Sequence, residues 1–129
     1  MRSRTRTGLA AAAIVGGLVV AGCGGGDDSG DGGTTAPADV VVHGNDSLKF
    51  DKDSYTAIAG TNVIELINDG SQAHTLLFDD DAVDFKKLGV TKTGDTDKGS
   101  VDLTAGTYTI YCDIAGHRAA GMEATLVVN

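Results

Sequence analysis

Four residues in this sequence carry sulfur or imidazole donors in an arrangement that could bind a metal ion. Cys112, His117 and Met122 follow one another at intervals of five residues, and His74 opens an alternating apolar segment after a polar turn. A thiolate, neutral imidazoles and a more distant thioether are the donor set of copper sites that cycle between Cu(I) and Cu(II). The four residues therefore predict a mononuclear copper site.

The segments around these donors place them on the apolar side of a sheet. Residues 108–112 alternate between apolar and polar positions, and Cys112 falls on the apolar face. After the intervening loop, residues 122–128 repeat the alternation, which puts Met122 on the core face at the start of the last strand. His74 likewise shares a face with apolar neighbours. The donors are thus expected to converge at one end of a sheet.

Each donor also has an ordinary interpretation. A lone cysteine on a core strand is usually a small buried hydrophobe, a methionine usually fills a gap, and a loop histidine is usually solvated. The regular spacing and the presence of a second histidine favour the metal site over these separate roles.

The N-terminal segment has the layout of an export signal. Three arginines precede an apolar run, residues 9–20, which is too short to span a bilayer as a helix. The run ends in Val20-Ala21-Gly22-Cys23, which resembles the bacterial lipoprotein signal, in which the cysteine is lipidated and becomes the mature N-terminus. We therefore predict a lipoprotein signal peptide at residues 1–22 and a lipidated Cys23. A cleaved secretory signal or an uncleaved anchor are the alternatives.

Residues 23–38 are predicted to form a flexible tether that begins at the lipidated Cys23. This segment is rich in glycine and aspartate and cannot bury enough apolar surface to offset its ordering entropy. The expected location is therefore extracytoplasmic, on the periplasmic or cell-surface side of the membrane, with the lipid as anchor. If Cys23 carries lipid, Cys112 has no disulfide partner, and a metal would hold it as the thiolate.

The charge balance excludes some partners. The formal net charge is −8, and removal of a leader with three arginines and no acid makes it three units more negative. Such an acidic domain is not expected to bind nucleic acid or anionic lipid through its own surface.

Residues 39–129 are long enough for one small core. Short alternating segments with turns every 8 to 12 residues and almost no helix predict an all-β protein, a single β-sandwich of seven to eight strands. Residues 98–112 are predicted to form a hairpin, and one short helical turn is predicted around residues 83–88.

Two other features are expected to lie outside the site. His43 is in the first predicted strand, far in sequence from any other ligand, and is interpreted as a surface histidine. The acidic cluster Asp79-Asp80-Asp81 with Asp84 lacks the spaced oxygen ligands and glycine of a calcium loop, so it is interpreted as a solvated acidic loop.

With these four donors in place, residues 40–129 resemble the cupredoxins, the small blue copper proteins that include plastocyanin, azurin and auracyanin. The resemblance implies a Greek-key sandwich that holds one type 1 copper. It also implies His74, Cys112 and His117 as trigonal ligands and Met122 as the long axial ligand. Cupredoxins often have asparagine directly after the first histidine, where it ties that strand to the cysteine loop. This chain has Thr75 there, with a shorter reach.

The resemblance further implies an electron carrier and not an enzyme. The imidazole of His117 would be the exposed one, and the small residues around it would form an apolar patch where redox partner proteins dock, with Arg118 at the rim. A monomer is expected. The alternatives are a copper-sequestering or copper-delivering lipoprotein with the same ligands, and a metal-free adhesive sandwich. Copper enzymes of related fold need further domains or clusters of additional histidines. In this sequence His43 is the only histidine outside the predicted site.

Overall fold

The computed structural model describes residues 36–129, which all lie in one compact unit. The predicted signal peptide, Cys23 and most of the predicted tether lie outside the described residues. Within the described range, no helix is long and apolar enough to cross a membrane.

The described residues form nine strands and one short helix. In chain order these elements are β1 (Val40–Asn45), β2 (Lys49–Phe50), β3 (Ser54–Ala57), β4 (Gly60–Asn68), β5 (His74–Phe78), β6 (Leu88–Val90), β7 (Thr96–Leu103), β8 (Gly106–Tyr111), α1 (His117–Ala120) and β9 (Glu123–Val128). One sheet has the order β2-β1-β4-β7 and the other the order β3-β9-β8-β5-β6. The strand count exceeds the expected seven to eight because the two-residue β2 pairs as a separate strand with β1.

The core lies between the two sheets. Strand β1 alternates buried and half-buried positions, and β5 and β9 alternate similarly, as expected for strands with one face on a core. The inward side chains of both sheets belong to one apolar cluster. From the first sheet it includes Val42, Ile64, Leu66 and Val101, and from the second Leu76, Phe78, Ile110 and Leu126. The predicted all-β sandwich is therefore confirmed.

The predicted hairpin over residues 98–112 is wrong. Strand β7 pairs along its whole length with β4, whereas β8 pairs with β9 and β5 in the other sheet. The chain thus crosses between the two layers after Leu103. Alternation identified both strands correctly, but it carries no information about which strand pairs with which.

The helical turn predicted around residues 83–88 is also absent. The segment is irregular, and Leu88 already belongs to β6. Val83 and Phe85 pack against the core from this irregular segment, and the Phe85 ring meets the Phe78 ring edge-on at 5.1 Å between centroids. These side chains thus pack on the core from an irregular backbone and not from a helix.

Candidate metal centre

The four predicted donors lie at the ends of neighbouring elements. His74 is the first residue of β5, and Cys112 directly follows β8. His117 begins α1, and Met122 directly precedes β9. Because β5, β8 and β9 are adjacent strands of one sheet, the sheet order brings these positions to the same end of the sandwich.

The structure brings together three of the donor side chains. Potential ligand atoms of His74, Cys112 and His117 all lie within 4.8 Å of one another. Cys112 Sγ is 3.5 Å from His117 Nδ1, and the two imidazole centroids are 5.4 Å apart with the rings tilted by 58°. A sulfur and two imidazoles at these separations surround a volume suited to one soft or borderline metal ion.

The four side chains differ in their access to solvent. His74, Cys112 and Met122 are 0% exposed, whereas His117 is 8% exposed. His117 was expected to be the exposed imidazole, but the structure buries most of its side chain. It is nevertheless the one member of the set with an edge at the surface.

His74 shows that the cluster suits a metal. Both of its ring nitrogens are buried and have no hydrogen-bond partner. Leaving a buried polar atom unpaired costs about 1–3 kcal/mol, and a cation bound by one ring nitrogen removes that cost for that nitrogen. Burial, and secondarily the neighbouring His117, hold the pKa of His74 below its usual value, although Asp46 opposes the shift. The ring is thus neutral at neutral pH and has a lone pair to donate.

Backbone hydrogen bonds fix the loop that carries the other three donors. The Cys112 N–H donates to the Met122 carbonyl at 3.1 Å, and the Met122 N–H donates to the His117 carbonyl at 3.0 Å. The single turn of α1 lies between Gly116 at φ 84° and Gly121 at φ 108°. Both φ values lie in the left-handed region that glycine adopts without strain. The glycines therefore allow the chain to turn His117 inward and then return to β9.

Gly44 belongs to the wall of the site, which the sequence interpretation missed. It lies near the end of β1. A Cβ at this position would be 2.9 Å from His74 Cδ2 and 3.1 Å from Met122 Cε. Both side chains therefore occupy the space that a larger residue would fill. A glycine inside a strand is the signal that could have revealed this close approach.

Thr75 ties β5 to the cysteine loop despite its short side chain. Thr75 Oγ1 donates to Asp113 Oδ1 at 2.7 Å and accepts the Asp113 backbone N–H at 3.0 Å. Lys87 Nζ in turn donates to Asp113 Oδ2 at 2.9 Å. The aspartate after the cysteine thus supplies the reach that the threonine lacks. Neither Asp113 nor Lys87 was identified from the sequence.

Another set of polar contacts positions the loop before His74. The Asp46 carboxylate accepts the backbone N–H groups of Ser71 and Gln72 at 2.7 and 3.1 Å. These bonds hold the pKa of Asp46 below its usual value. The buried Asn68 side chain donates to the Gln72 carbonyl at 2.8 Å. The loop is therefore fixed from two sides just before the first imidazole.

His43 stays outside the cluster, as expected. Its Nδ1 is 2.9 Å from Asp69 Oδ2, and its side chain is about one-third exposed. In the acidic segment 79–84, the four aspartates are exposed, and Asp79 forms an ion pair with Arg118 at 2.7 Å.

Comparisons with known proteins bear on the family and the fold of this chain. Residues 37–129 match the family described as copper binding proteins, plastocyanin/azurin family. No curated protein matches the chain.

Several solved structures have the same fold. The auracyanin of the photosynthetic bacterium Roseiflexus castenholzii gives a TM-score of 0.63 at 17% identity, over 73% of this chain and 98% of that chain. Auracyanin A, a "blue" copper protein from Chloroflexus aurantiacus, gives 0.57 at 21% identity, over 69% and 96%. An azurin from Methylomonas sp. strain J gives 0.60 at 14% identity, over 73% and 99%. At these identities the likeness shows the fold alone.

The family match and the donor cluster together identify the cofactor. The matched family binds copper, and His74, Cys112 and His117 supply donors that suit copper. The prediction of a copper cofactor is therefore confirmed. Since the match extends over residues 37–129, which is most of the sequence, the chain belongs to the plastocyanin/azurin family of copper-binding proteins.

Proposed function

We propose that this protein carries single electrons at one copper ion bound by His74, Cys112 and His117, with Met122 as a weaker fourth ligand. The observation that carries the proposal is the buried cluster of one thiol and two imidazoles, already assembled by the fold. Copper bound there supplies one-electron chemistry by alternating between Cu(I) and Cu(II).

The way the chain holds these side chains supports a carrier. His74 is fixed by a β-ladder with β6, and the loop of the other three donors is closed by backbone hydrogen bonds. These contacts do not depend on the charge at the site. The donors therefore keep nearly one arrangement for both oxidation states, which keeps the structural cost of gaining or losing an electron low.

The surface around His117 supports it as the contact for redox partner proteins. The small residues that flank it are all exposed, namely Ala115, Gly116, Ala119, Ala120 and Gly121. Arg118 lies at 4.1 Å over the Tyr111 ring and forms ion pairs with Asp79 and Glu123, each at 2.7 Å. These contacts hold Arg118 beside the patch of small residues. A partner protein can therefore approach the exposed edge of the His117 ring closely.

The path of β1 supports an anchored protein whose copper end remains accessible. Gly44 contacts the site, and Val40 lies four residues earlier on the same strand, about 13 Å away at the rise of a β-strand. The chain before Val40 therefore joins the domain away from the copper end. In our proposal Cys23 carries lipid on the outer face of the membrane, and the His117 patch of this monomeric domain faces its redox partners.

A copper-sequestering or copper-delivering lipoprotein is the alternative with the same ligands. Delivery requires rapid transfer of the ion to another protein. Three of the four side chains here are 0% exposed, which slows such a transfer and disfavours a delivery protein. An enzyme with a further copper centre is disfavoured, since His43 is the only other histidine and is bound to Asp69.

Reversible electron exchange tests the proposal. We expect the full-length copper-loaded protein to give a reversible one-electron couple in voltammetry and to keep one copper per chain in both states. A delivery protein would instead lose copper to a competing chelator within seconds of reduction. That result would contradict the carrier.

The role of Met122 is tested by Met122→Leu. The variant is expected to retain copper, because the thiolate and imidazoles supply most of the affinity. Its reduction potential should rise, because Cu(II) gains more than Cu(I) from a fourth donor and a polar environment. The free energy of unfolding of the copper-free protein should change by less than about 1.5 kcal/mol, since the swap conserves volume.

Leu126→Met is the matched control for that experiment. Leu126 is also 0% exposed and lies on the same face of the chain four residues later. This swap should leave the potential unchanged. An unchanged or lowered potential in copper-replete Met122→Leu would remove Met122 from the ligand set.

A further inference from the structure

The hydroxyl of Thr75 lies between two acceptors and can donate to only one of them. Its Oγ1 is 3.4 Å from Cys112 Sγ and 2.7 Å from Asp113 Oδ1. The same oxygen accepts the backbone N–H of Asp113, so the hydroxyl has one proton left to give. The destination of that proton decides how many hydrogen bonds the sulfur receives from Thr75.

The Asp113 carboxylate is the better acceptor of the two. A separation of 2.7 Å is in the range of charge-assisted O–H···O⁻ bonds, and a carboxylate oxygen is a stronger acceptor than a cysteine sulfur, which lies 3.4 Å away. Lys87 Nζ holds the other carboxylate oxygen at 2.9 Å and so keeps Oδ1 directed at the hydroxyl. The sulfur keeps the Thr75 backbone N–H, at 3.4 Å.

We propose that the Asp113–Lys87 pair lowers the reduction potential of the copper site by drawing the Thr75 hydroxyl proton away from Cys112 Sγ. Asp113 and Lys87 are then positioning residues that act through Thr75. A hydrogen bond to a thiolate stabilises it most when the sulfur carries most negative charge, which is the reduced state. Withholding that bond therefore favours the oxidised state. The inference rests on the copper ligands of the proposed function and not on its redox partners.

Asp113→Ala removes the competing acceptor and tests the proposal. Asp113 is exposed, so the domain should fold without its carboxylate. The Thr75 hydroxyl should then turn to Sγ, and equilibrium redox titration of the copper-loaded full-length protein should show a higher potential. The loss of a negative charge raises the potential as well, so the same substitution must also be made in Thr75→Val, which has no hydroxyl to turn.

The difference between the shifts in potential in the two backgrounds measures the contribution of the Thr75 hydroxyl alone. We expect Asp113→Ala to shift the Cu(I)/Cu(II) equilibrium by about three- to tenfold more when Thr75 is present than in the Thr75→Val background. Thr75→Val alone also loses the two hydrogen bonds to Asp113 that tie β5 to the cysteine loop, so it serves as the background for this comparison and not as a variant of unchanged potential. Thr75→Ser combined with Asp113→Ala should restore the larger shift, since serine keeps the hydroxyl.

The absorption spectrum gives a second readout. A hydrogen bond lowers the energy of the sulfur electrons, so the sulfur-to-copper band should move to shorter wavelength in Asp113→Ala and not in the double variant with Thr75→Val.

Equal shifts of potential in both backgrounds would reduce the effect to charge alone and overturn the proposal. A sulfur-to-copper band that moved to longer wavelength in Thr75→Val alone would also overturn it, since the hydroxyl would then already be donated to sulfur. Loss of reversible redox cycling in the wild-type protein would contradict the proposed electron carrier and not this inference. The band positions of the variants would then still test the role of Asp113 and Thr75.

Discussion

Replacement of Cys112 by serine is expected to abolish the intense visible absorption of the oxidised, copper-loaded protein. The absorption of such sites arises from charge transfer between a thiolate sulfur and Cu(II), and a hydroxyl oxygen cannot supply it. Cys112 is the one cysteine among the described residues, and its Sγ lies 3.5 Å from His117 Nδ1. The measurement is the visible spectrum after stoichiometric addition of copper.

The same variant must be shown to fold. Burying a hydroxyl in place of a thiol costs about 1–3 kcal/mol when it lacks partners. The Thr75 backbone N–H, 3.4 Å from Sγ, is available to donate to the new oxygen and limits that cost. Cys112→Ser should therefore melt cooperatively without copper. A blue band that persisted in the folded variant would show that Cys112 is not the chromophore.

Local patterns were sufficient to predict where the candidate ligands lie in the sheet. Strand alternation put Cys112 and Met122 on the core face, and the structure gives both 0% exposure. His74 also begins a strand as expected. These predictions succeed because the side-chain direction in a strand follows from its period of two, and the loop between residues 112 and 122 is short enough to return to the same sheet end.

Pairing of distant strands was not predictable in this way. Strand β7 pairs with β4 and β8 pairs with β9, although only two residues separate β7 from β8. The choice depends on how the two apolar faces bury each other across the sandwich. Likewise, the irregular segment at Phe85 is determined by its contact with Phe78 and not by local helix propensity.

The contacts that adjust the site were the least predictable. Gly44 and His74 are 30 positions apart, and a pattern confined to either segment does not show that one packs on the other. The Asp113 carboxylate becomes significant only because Thr75 and Lys87, from two other segments, converge on it. Such contacts depend on the completed fold, whereas the candidate ligands follow from spacing along the chain.

Replacement of Cys23 by alanine is expected to eliminate the lipid-modified mature form of the protein. Our proposal places the acyl chains on Cys23, and two or more chains give stable anchoring where a single chain binds only marginally. Without that thiol the protein should appear as an unprocessed precursor or in the soluble fraction. Membrane fractionation with mass measurement of the mature N-terminus distinguishes these forms from the lipidated protein.

The two cysteine variants serve as reciprocal controls, because each thiol is assigned a different task. Cys112→Ser should lose the visible band and remain in the membrane fraction at the acylated mass. Cys23→Ala should lose the acylated mass and keep the visible band, since the proposed copper ligands all lie within residues 74–122 of a compact unit. If Cys23→Ala stayed in the membrane at the wild-type mature mass, lipid attachment at Cys23 would be wrong. If either variant lost both properties, the anchor and the copper domain would depend on one another, contrary to a tether that joins the domain away from its copper end.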